Sequence, residues 1–349
     1  MSILSELVVV EIASVLAGPS VGMFFAEKGA RVIKVENKKT GGDVTRSWKL
    51  SSENKNNSHS AYFATVNWNK EHVFLDFTDE DDRSELEDLI AKANIVLTNF
   101  KHGDAQKFNL DYAAIKKLNS KIIVGEISGY GAADEKVAFD LVLQADTGFM
   151  SMNGTPTSGP VKMPVAFIDL FAAHQMKEGI LEALLNQQVN GGNFLVEVSL
   201  YDAAIASLAN QATNFLIANH IAKPIGSLHP NIAPYGELFK TKDDRIITFA
   251  IGSDKQFISL CKHLHLELHL TFSTNQTRVE NRNLIAEKIQ EKVKLIEADT
   301  LENELTQLRV PVAIIKSIDE VLSSPRVTKL LLEDQLGKRV KTAVYTIKN

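Results

Sequence analysis

An α/β sheet domain followed by a smaller α+β domain is predicted by three features of the sequence. Short apolar runs alternate with helical patterns between residues 7 and 199, the order expected of strands joined by helices. Start and stop signals stand at the joins, among them Pro19, Gly29 and Gly191-Gly192. Beyond residue 225 the pattern changes to a hairpin followed by helices.

Taken in order, Leu7-Val8-Val9-Val10-Glu11-Ile12 reads as a buried strand, and Ala17-Gly18-Pro19 as a turn whose Pro19 suits the first helical position. Residues 21–28 form a short helix ended by Gly29, and Arg31-Val32-Ile33-Lys34-Val35-Glu36 a second strand. This βαβ unit marks the large domain as Rossmann-like. Glu36 mimics the acidic residue that holds a ribose hydroxyl in dinucleotide-binding folds. The turn Ala13-Ser14-Val15-Leu16-Ala17-Gly18 has only one glycine, however, which argues against NAD. Its small or rigid residues let a ligand approach backbone N–H groups at a helix start; the alternative is a tight turn with nothing bound.

A polar loop at 51–58 leads to a strand at 73–77 and a helix that Thr78, Asp79, Glu80 and Asp81 begin and that runs to about residue 92. A strand at 95–99, a helix at 112–118, a strand at 121–127 and another at 194–199 follow, and one long helix at 201–219 leads out of the domain. Strands at 236–241 and 245–251 form a hairpin around Lys242-Asp243-Asp244, with helices starting at Asp254 and Glu280. The domains expected are 1–200, rejoined by 326–349, a helical linker at 201–224, and a small domain at 225–325.

Asp169 stands out as a carboxylate at a junction. Pro164-Val165-Ala166-Phe167-Ile168 gives way there to helical spacing through Leu170, Ala173, Met176, Ile180, Ala183 and Leu184. As a helix cap, Asp169 contributes about 1 kcal/mol. The positive end of the helix dipole also favours its ionised form, so the same carboxylate is expected to be charged and available as a nucleophile.

Many ordered segments carry a resemblance. They include Ser14-Val15-Leu16-Ala17-Gly18-Pro19, Gly29-Ala30-Arg31-Val32-Ile33-Lys34-Val35-Glu36, Gly42-Asp43-Val44-Thr45-Arg46, Asn67-Trp68-Asn69-Lys70, Leu97-Thr98-Asn99-Phe100, Ile127-Ser128-Gly129-Tyr130-Gly131 and Phe139-Asp140-Leu141-Val142-Leu143-Gln144. Asp169 follows, then Val196-Glu197-Val198-Ser199-Leu200-Tyr201-Asp202-Ala203, His229-Pro230-Asn231-Ile232-Ala233-Pro234-Tyr235 and Val310-Pro311-Val312-Ala313. In order and spacing, covering nearly the whole chain, the sequence resembles the family III CoA-transferases, the group containing formyl-CoA transferase, carnitine CoA-transferase and 2-methylacyl-CoA racemase.

The resemblance implies that Asp169 becomes acylated by an acyl-CoA and passes CoA to a carboxylic acid by covalent catalysis, with CoA as substrate and no metal or permanently bound cofactor. It places CoA against Ser14, Val15 and Ala17, its adenine at Leu75, a further contact at Asn99 and a phosphate at Lys107. Asn37 stands where relatives are often basic; Lys38, Lys39 and Arg46 are near enough in sequence to substitute, although Lys38 and Lys39 read rather as an ordinary solvated charge run. Racemases carry a histidine where this chain has Phe139, which cannot move a proton, so transfer is preferred to isomerisation. A non-catalytic CoA-binding protein is the alternative from another class. The resemblance further implies an interlocked homodimer. Relatives continue past Asn349 with a segment ending in a Gly-x-His-Thr helix, which this sequence does not contain.

Composition points to a cytoplasmic enzyme. The formal charge of −5 opposes general binding to nucleic acid or a membrane surface, Cys261 is the single cysteine, and no apolar run is long enough to span a bilayer. Cys261-Lys262-His263-Leu264-His265-Leu266-Glu267-Leu268-His269 contains four potential metal ligands. Its helical period spreads them around an axis, so the segment reads as a helix end with exposed histidines rather than a zinc site.

Overall fold

The computed structural model describes residues 2–267 and 269–348. The chain divides into two compact units, one comprising the chain through Asn153, Gly159–Lys223 and the residues from Lys329 onward, the other Gly154–Ser158 and Pro224–Thr328.

The larger unit is built on a parallel sheet. Its strands are β1 (Val8–Glu11), β2 (Arg31–Asn37), β3 (Glu71–Leu75), β4 (Ile95–Thr98), β5 (Ile123–Ser128) and β6 (Phe194–Ser199), in the spatial order β3-β2-β1-β4-β5-β6. Central strands such as Val-Val-Val-Glu and Ile-Val-Leu-Thr are apolar on both faces because helices cover both. On one face α1 (Ala17–Glu27) and α5 (Phe167–Asn190) bury Val21, Phe24, Phe25, Ala172, Met176 and Ile180 against Val9, Ile95 and Ile123. On the other, α2 (Glu80–Lys92) and α3 (Tyr112–Leu118) bury Leu86, Ile90 and Ile115 against Val10, Ile33, Val96 and Val124. Burying such side chains contributes about 1.5–3 kcal/mol each.

The order reverses between β1 and β4, and strands that part company in this way open a crevice at their C-terminal ends. The loops after β1 and β4, carrying Ser14–Ala17 and Asn99, both leave the sheet there.

Three expectations need correction in detail. The first helix begins at Ala17, not at residue 21, with Pro19 as its third residue, because the Ser20 N–H already bonds to Leu16 O at 2.8 Å. The single helix expected over 201–219 is two, α6 (Leu200–Ala206) and α7 (Ala209–Ala218), separated where Ala209 turns to φ +48°. Finally, residues 201–223 cluster with the larger unit rather than forming a separate linker: α6 buries Leu200, Ala203 and Ala204 in the core beside α5, whereas α7 buries none of its residues.

The C-terminal hairpin of Leu331–Asp334 and Gly337–Val340 also packs on the larger unit, where Arg339 Nη1 donates to Ala64 O at 2.8 Å. The smaller unit is a three-stranded antiparallel sheet, with β7 (Tyr235–Lys240) and β9 (Val312–Ile314) on either side of β8 (Ile246–Ala250), covered by helices that include α8 (Asp254–His263). Cys261 is buried in the core of this unit, while His263 Nε2 lies 3.2 Å from Glu304. Leu268 of the histidine-rich segment lies outside the described residues. No helix among the described residues is long and apolar enough to cross a membrane.

Candidate active site

A cavity of about 660 Å³ opens on the larger unit, and Ser14, Val15, Ala17, Asn99 and Asp169 all line it. The turn after β1 forms one part of its wall. Asn99 clamps this turn from both sides: its Oδ1 accepts from Ser14 N at 2.9 Å and its Nδ2 donates to Ser14 O at 2.8 Å. The next amide, Val15 N, donates to Asp43 Oδ2 at 3.1 Å. The two N–H groups expected to meet a ligand are therefore already bonded. What remains is the uncapped start of α1, whose N-cap residue Leu16 makes no side-chain cap. First-turn N–H groups of a helix lack partners within it, and of the residues that open α1, Ala17 lines the cavity.

Asp169 occupies another part of the wall. It is the third residue of α5 and caps nothing, which corrects its expected place at the helix boundary. The cap comes from a residue far off in sequence. Asp140 leads the short helix α4 (Asp140–Asp146), and its Oδ2 accepts from Ile168 N at 2.8 Å and from Asp169 N at 3.4 Å. Asp140 thus takes the helix-end donors and adds a like charge.

The electrostatic outcome reverses the expectation of an ordinary ionised carboxylate. Asp169 is only 7% exposed, and no donor bonds to its carboxylate among the described residues. Burial first, and the Asp140 charge second, push its pKa up to about 7. The helix dipole does not offset these, since desolvation disfavours the charged form more strongly than a helix end favours it. Near neutrality Asp169 is therefore a carboxyl group divided between its acid and a poorly solvated, reactive carboxylate. Tyr62 feels the same charges: burial first, then Asp169, Asp140 and Asp43, raise its phenol pKa. Phe139 also lines the cavity, half exposed, and offers no proton.

The remaining residues expected at the site fall elsewhere. Leu75 ends β3 inside the hydrophobic core and lines no part of this cavity. Lys107 follows Gln106, which does line it, but itself opens onto a separate depression of about 370 Å³ beside Phe77, Thr78 and Arg83. Glu36 is buried and committed to Arg46, at 2.7 and 2.6 Å, and to His72 at 2.9 Å. Burial works against its charge, but these bonds and the Asp43 amide hold its carboxyl well below the usual range. Arg46 is thereby taken from any phosphate, and Lys38 and Lys39 pair with Asp82 and Asp76.

Sequence reasoning missed Asp140 and Asp43 as partners of the site. Both stand in quoted motifs, yet nothing in their spacing shows which distant N–H groups they reach.

Comparison with known proteins agrees over nearly the full length. The model of CoA-transferase family III matches residues 4–343. The chain is 33% identical to a succinate–glutarate CoA-transferase of Agrobacterium fabrum, over 93% of this chain and 82% of that one. It is 30% identical to the succinyl-CoA:glutarate CoA-transferase of Homo sapiens, over 91% and 73%. A crystal structure of a CAIB/BAIF family protein from Brucella suis superposes with a TM-score of 0.85 at 33% identity, covering 99% of this chain and 93% of that one. By these matches the chain is a CoA-transferase, moving CoA between an acyl-CoA and a carboxylic acid, and belongs to CoA-transferase family III.

Proposed function

We propose that Asp169 carries the acyl group during transfer and that donor and acceptor are small dicarboxylic acids. The observation that carries the first part is a buried, unbonded carboxyl with a pKa of about 7, on the cavity shared with the first turn. The second part is supported by the names of the relatives, whose acids are succinate and glutarate, and in a Haloarcula hispanica protein 28% identical to this one, succinyl-CoA and mesaconate.

The steps balance without an outside reagent. Ionised Asp169 attacks the thioester carbonyl; the C–S bond breaks, leaving a mixed anhydride and CoA thiolate. The thiolate attacks the aspartyl carbonyl, the anhydride C–O bond breaks, and the donor acid leaves an enzyme thioester. The acceptor carboxylate then reverses both steps, restoring Asp169. A poorly solvated carboxylate is the better nucleophile.

CoA lies across the turn of Ser14, Val15 and Ala17, with Asn99 shaping that turn and Lys107 near a phosphate outside the main cavity. The large unit is Rossmann-like, the enzyme is cytoplasmic, and it needs no permanently bound cofactor. A homodimer is supported by the apolar face that α7 leaves exposed, with Leu216 and Ile217 at 75% and 82% exposure. Phe139 supports transfer over racemisation.

The test is to incubate the enzyme with succinyl-CoA and map the trapped adduct by mass spectrometry. A succinyl or CoA adduct on Asp169 is expected; an adduct elsewhere, or turnover by Asp169→Ala at the parent rate, overturns the covalent reading. In deuterated water a 2-methylacyl-CoA is expected to keep its α-proton, and exchange at a catalytic rate instead favours the isomerase.

A further inference from the structure

Two motifs take no part in that chemistry, Gly42-Asp43-Val44-Thr45-Arg46 and Asn67-Trp68-Asn69-Lys70. They meet beneath the first turn. Lys34 Nζ lies 3.0 Å from Glu11 Oε1 and 3.1 Å from Asp43 Oδ2, and it donates to Ala13 O at 2.8 Å. Lys70 Nζ donates to Glu11 Oε2 at 2.7 Å, to Pro19 O at 2.9 Å and to Asn67 Oδ1 at 3.1 Å. All four charged side chains are buried, two of each sign.

This lattice touches α1 from below. A Cβ at Gly22 would stand 1.8 Å from Glu11 Oε2, so only glycine lets the helix lie on the pair. It touches the turn from the front through Asp43, whose Oδ2 accepts the Val15 N–H at 3.1 Å. Asp43 is held independently of Val15. Its Oδ1 accepts from Thr45 N and Thr45 Oγ1 at 3.0 and 2.8 Å, and its own N–H donates to Glu36 Oε2 at 2.9 Å.

Val15 needs such a clamp. Its φ is +71°, in the left-handed region, where a β-branched residue is strained and persists only when its surroundings over-determine it. A free turn would relax to negative φ and swing the start of α1 away from its present line.

We infer that Asp43 is a positioning residue for CoA transfer: through the buried Glu11–Lys34–Lys70 lattice it holds Val15 in the left-handed turn that shapes the wall of the Asp169 cavity. The inference rests on the reading above that CoA lies against this turn. The lattice is a rigid base, and the strained turn is the surface it presents.

The test measures CoA binding by calorimetry and turnover with succinyl-CoA and glutarate. Asp43→Ala is expected to weaken CoA binding about tenfold and to raise the KM for succinyl-CoA more than it lowers kcat. Adding Val15→Gly to that variant is expected to restore affinity to within about threefold of the parent, because glycine holds positive φ without a clamp. A role confined to general stability gives no such rescue. Parent-like binding by Asp43→Ala, or a loss that Val15→Gly does not recover, overturns the inference. Should Asp43→Ala not fold, Asp43→Asn takes its place in both arms, since an amide offers one acceptor oxygen where the carboxylate uses two. Ala17→Phe separates the two readings: unchanged CoA affinity there places CoA elsewhere and overturns both, whereas a loss with Ala17→Phe beside none with Asp43→Ala overturns the positioning role alone.

Discussion

Two regions flanking the same cavity treat buried charge in opposite ways. Beneath the first turn, Glu11, Lys34, Asp43 and Lys70 are withdrawn from water and each is bonded to an opposite charge. At the head of α5, Asp169 is nearly as buried, has no bonded donor among the described residues, and faces the like charge of Asp140. Burial lowers the affinity of Lys34 for its proton, but Glu11, Asp43 and Glu36 outweigh it and leave the pKa raised. For Asp169 burial and its neighbour act in the same direction, and the proton stays until about pH 7. Paired burial fixes shape; unpaired burial stores reactivity. A single domain needs both, because an unpaired carboxylate reacts well only when the substrate is held still beside it.

The comparison breaks most visibly at Asp169. Asp169→Asn is expected to lower transfer by roughly 10⁴-fold or more in steady-state assays, as for loss of other covalent nucleophiles. The same change is expected to stabilise the fold at alkaline pH. The raised folded-state pKa makes the parent lose stability as pH rises from about 3.8, the ordinary value, through about 7. Thermal melts at pH 8 should therefore favour Asp169→Asn, by on the order of a few kcal/mol, and the advantage should vanish near pH 4. Equal melts at both pH values contradict the unpaired burial.

The paired region is expected to answer with the opposite sign. Glu11→Ala leaves Lys34 and Lys70 buried without their shared partner, a loss of about 3–5 kcal/mol measurable by urea unfolding. An unfolding curve like the parent's means that this lattice does not hold the turn.

Asp140→Asn sharpens the contrast with a smaller effect. The amide still accepts the Ile168 N–H, so the cap survives while the like charge goes. In the parent, kcat/KM is expected to rise with pH through about 7 as Asp169 ionises. In Asp140→Asn that limb should move to lower pH without reaching the ordinary aspartate range, because burial, the larger cause, remains. The smallest effect belongs to Lys107→Ala, outside the main cavity: CoA binding is expected to weaken about threefold and to depend less on salt.

Much of this architecture was legible in the sequence. Short β-branched apolar runs such as Leu7-Val8-Val9-Val10 read as buried strands, and the Tyr112–Leu118 helix and the hairpin around Lys242-Asp243-Asp244 followed from local period and turn chemistry. Asp169 and the turn at Ser14–Ala17 stood out from local pattern and took their roles from resemblance, and the structure brings them to one cavity. What the sequence hid is what depends on long-range contact. Asp140 reaches Ile168 from 28 positions earlier in the sequence, so the cap looked as though it belonged to Asp169 itself. Nothing about a valine announces positive φ, because Val15 is held there by Asp43 rather than by its own preference. The break before Ala209 carries neither Gly nor Pro, so the helical pattern runs straight through it. Asn99 was expected to meet the ligand; its amide is bonded on both sides to Ser14 instead.

The central claim is that Asp169 is an unpaired buried carboxyl, and its protonation can be observed directly. Carbon-detected NMR of enzyme labelled at aspartate side-chain carboxyls, with Asp169→Asn to assign the resonance, follows that one group through pH. A midpoint near 7, falling in Asp140→Asn, is the expected result. A midpoint near the ordinary aspartate value of 3.8 contradicts the account, for it means that the carboxylate is solvated or paired and holds no stored reactivity.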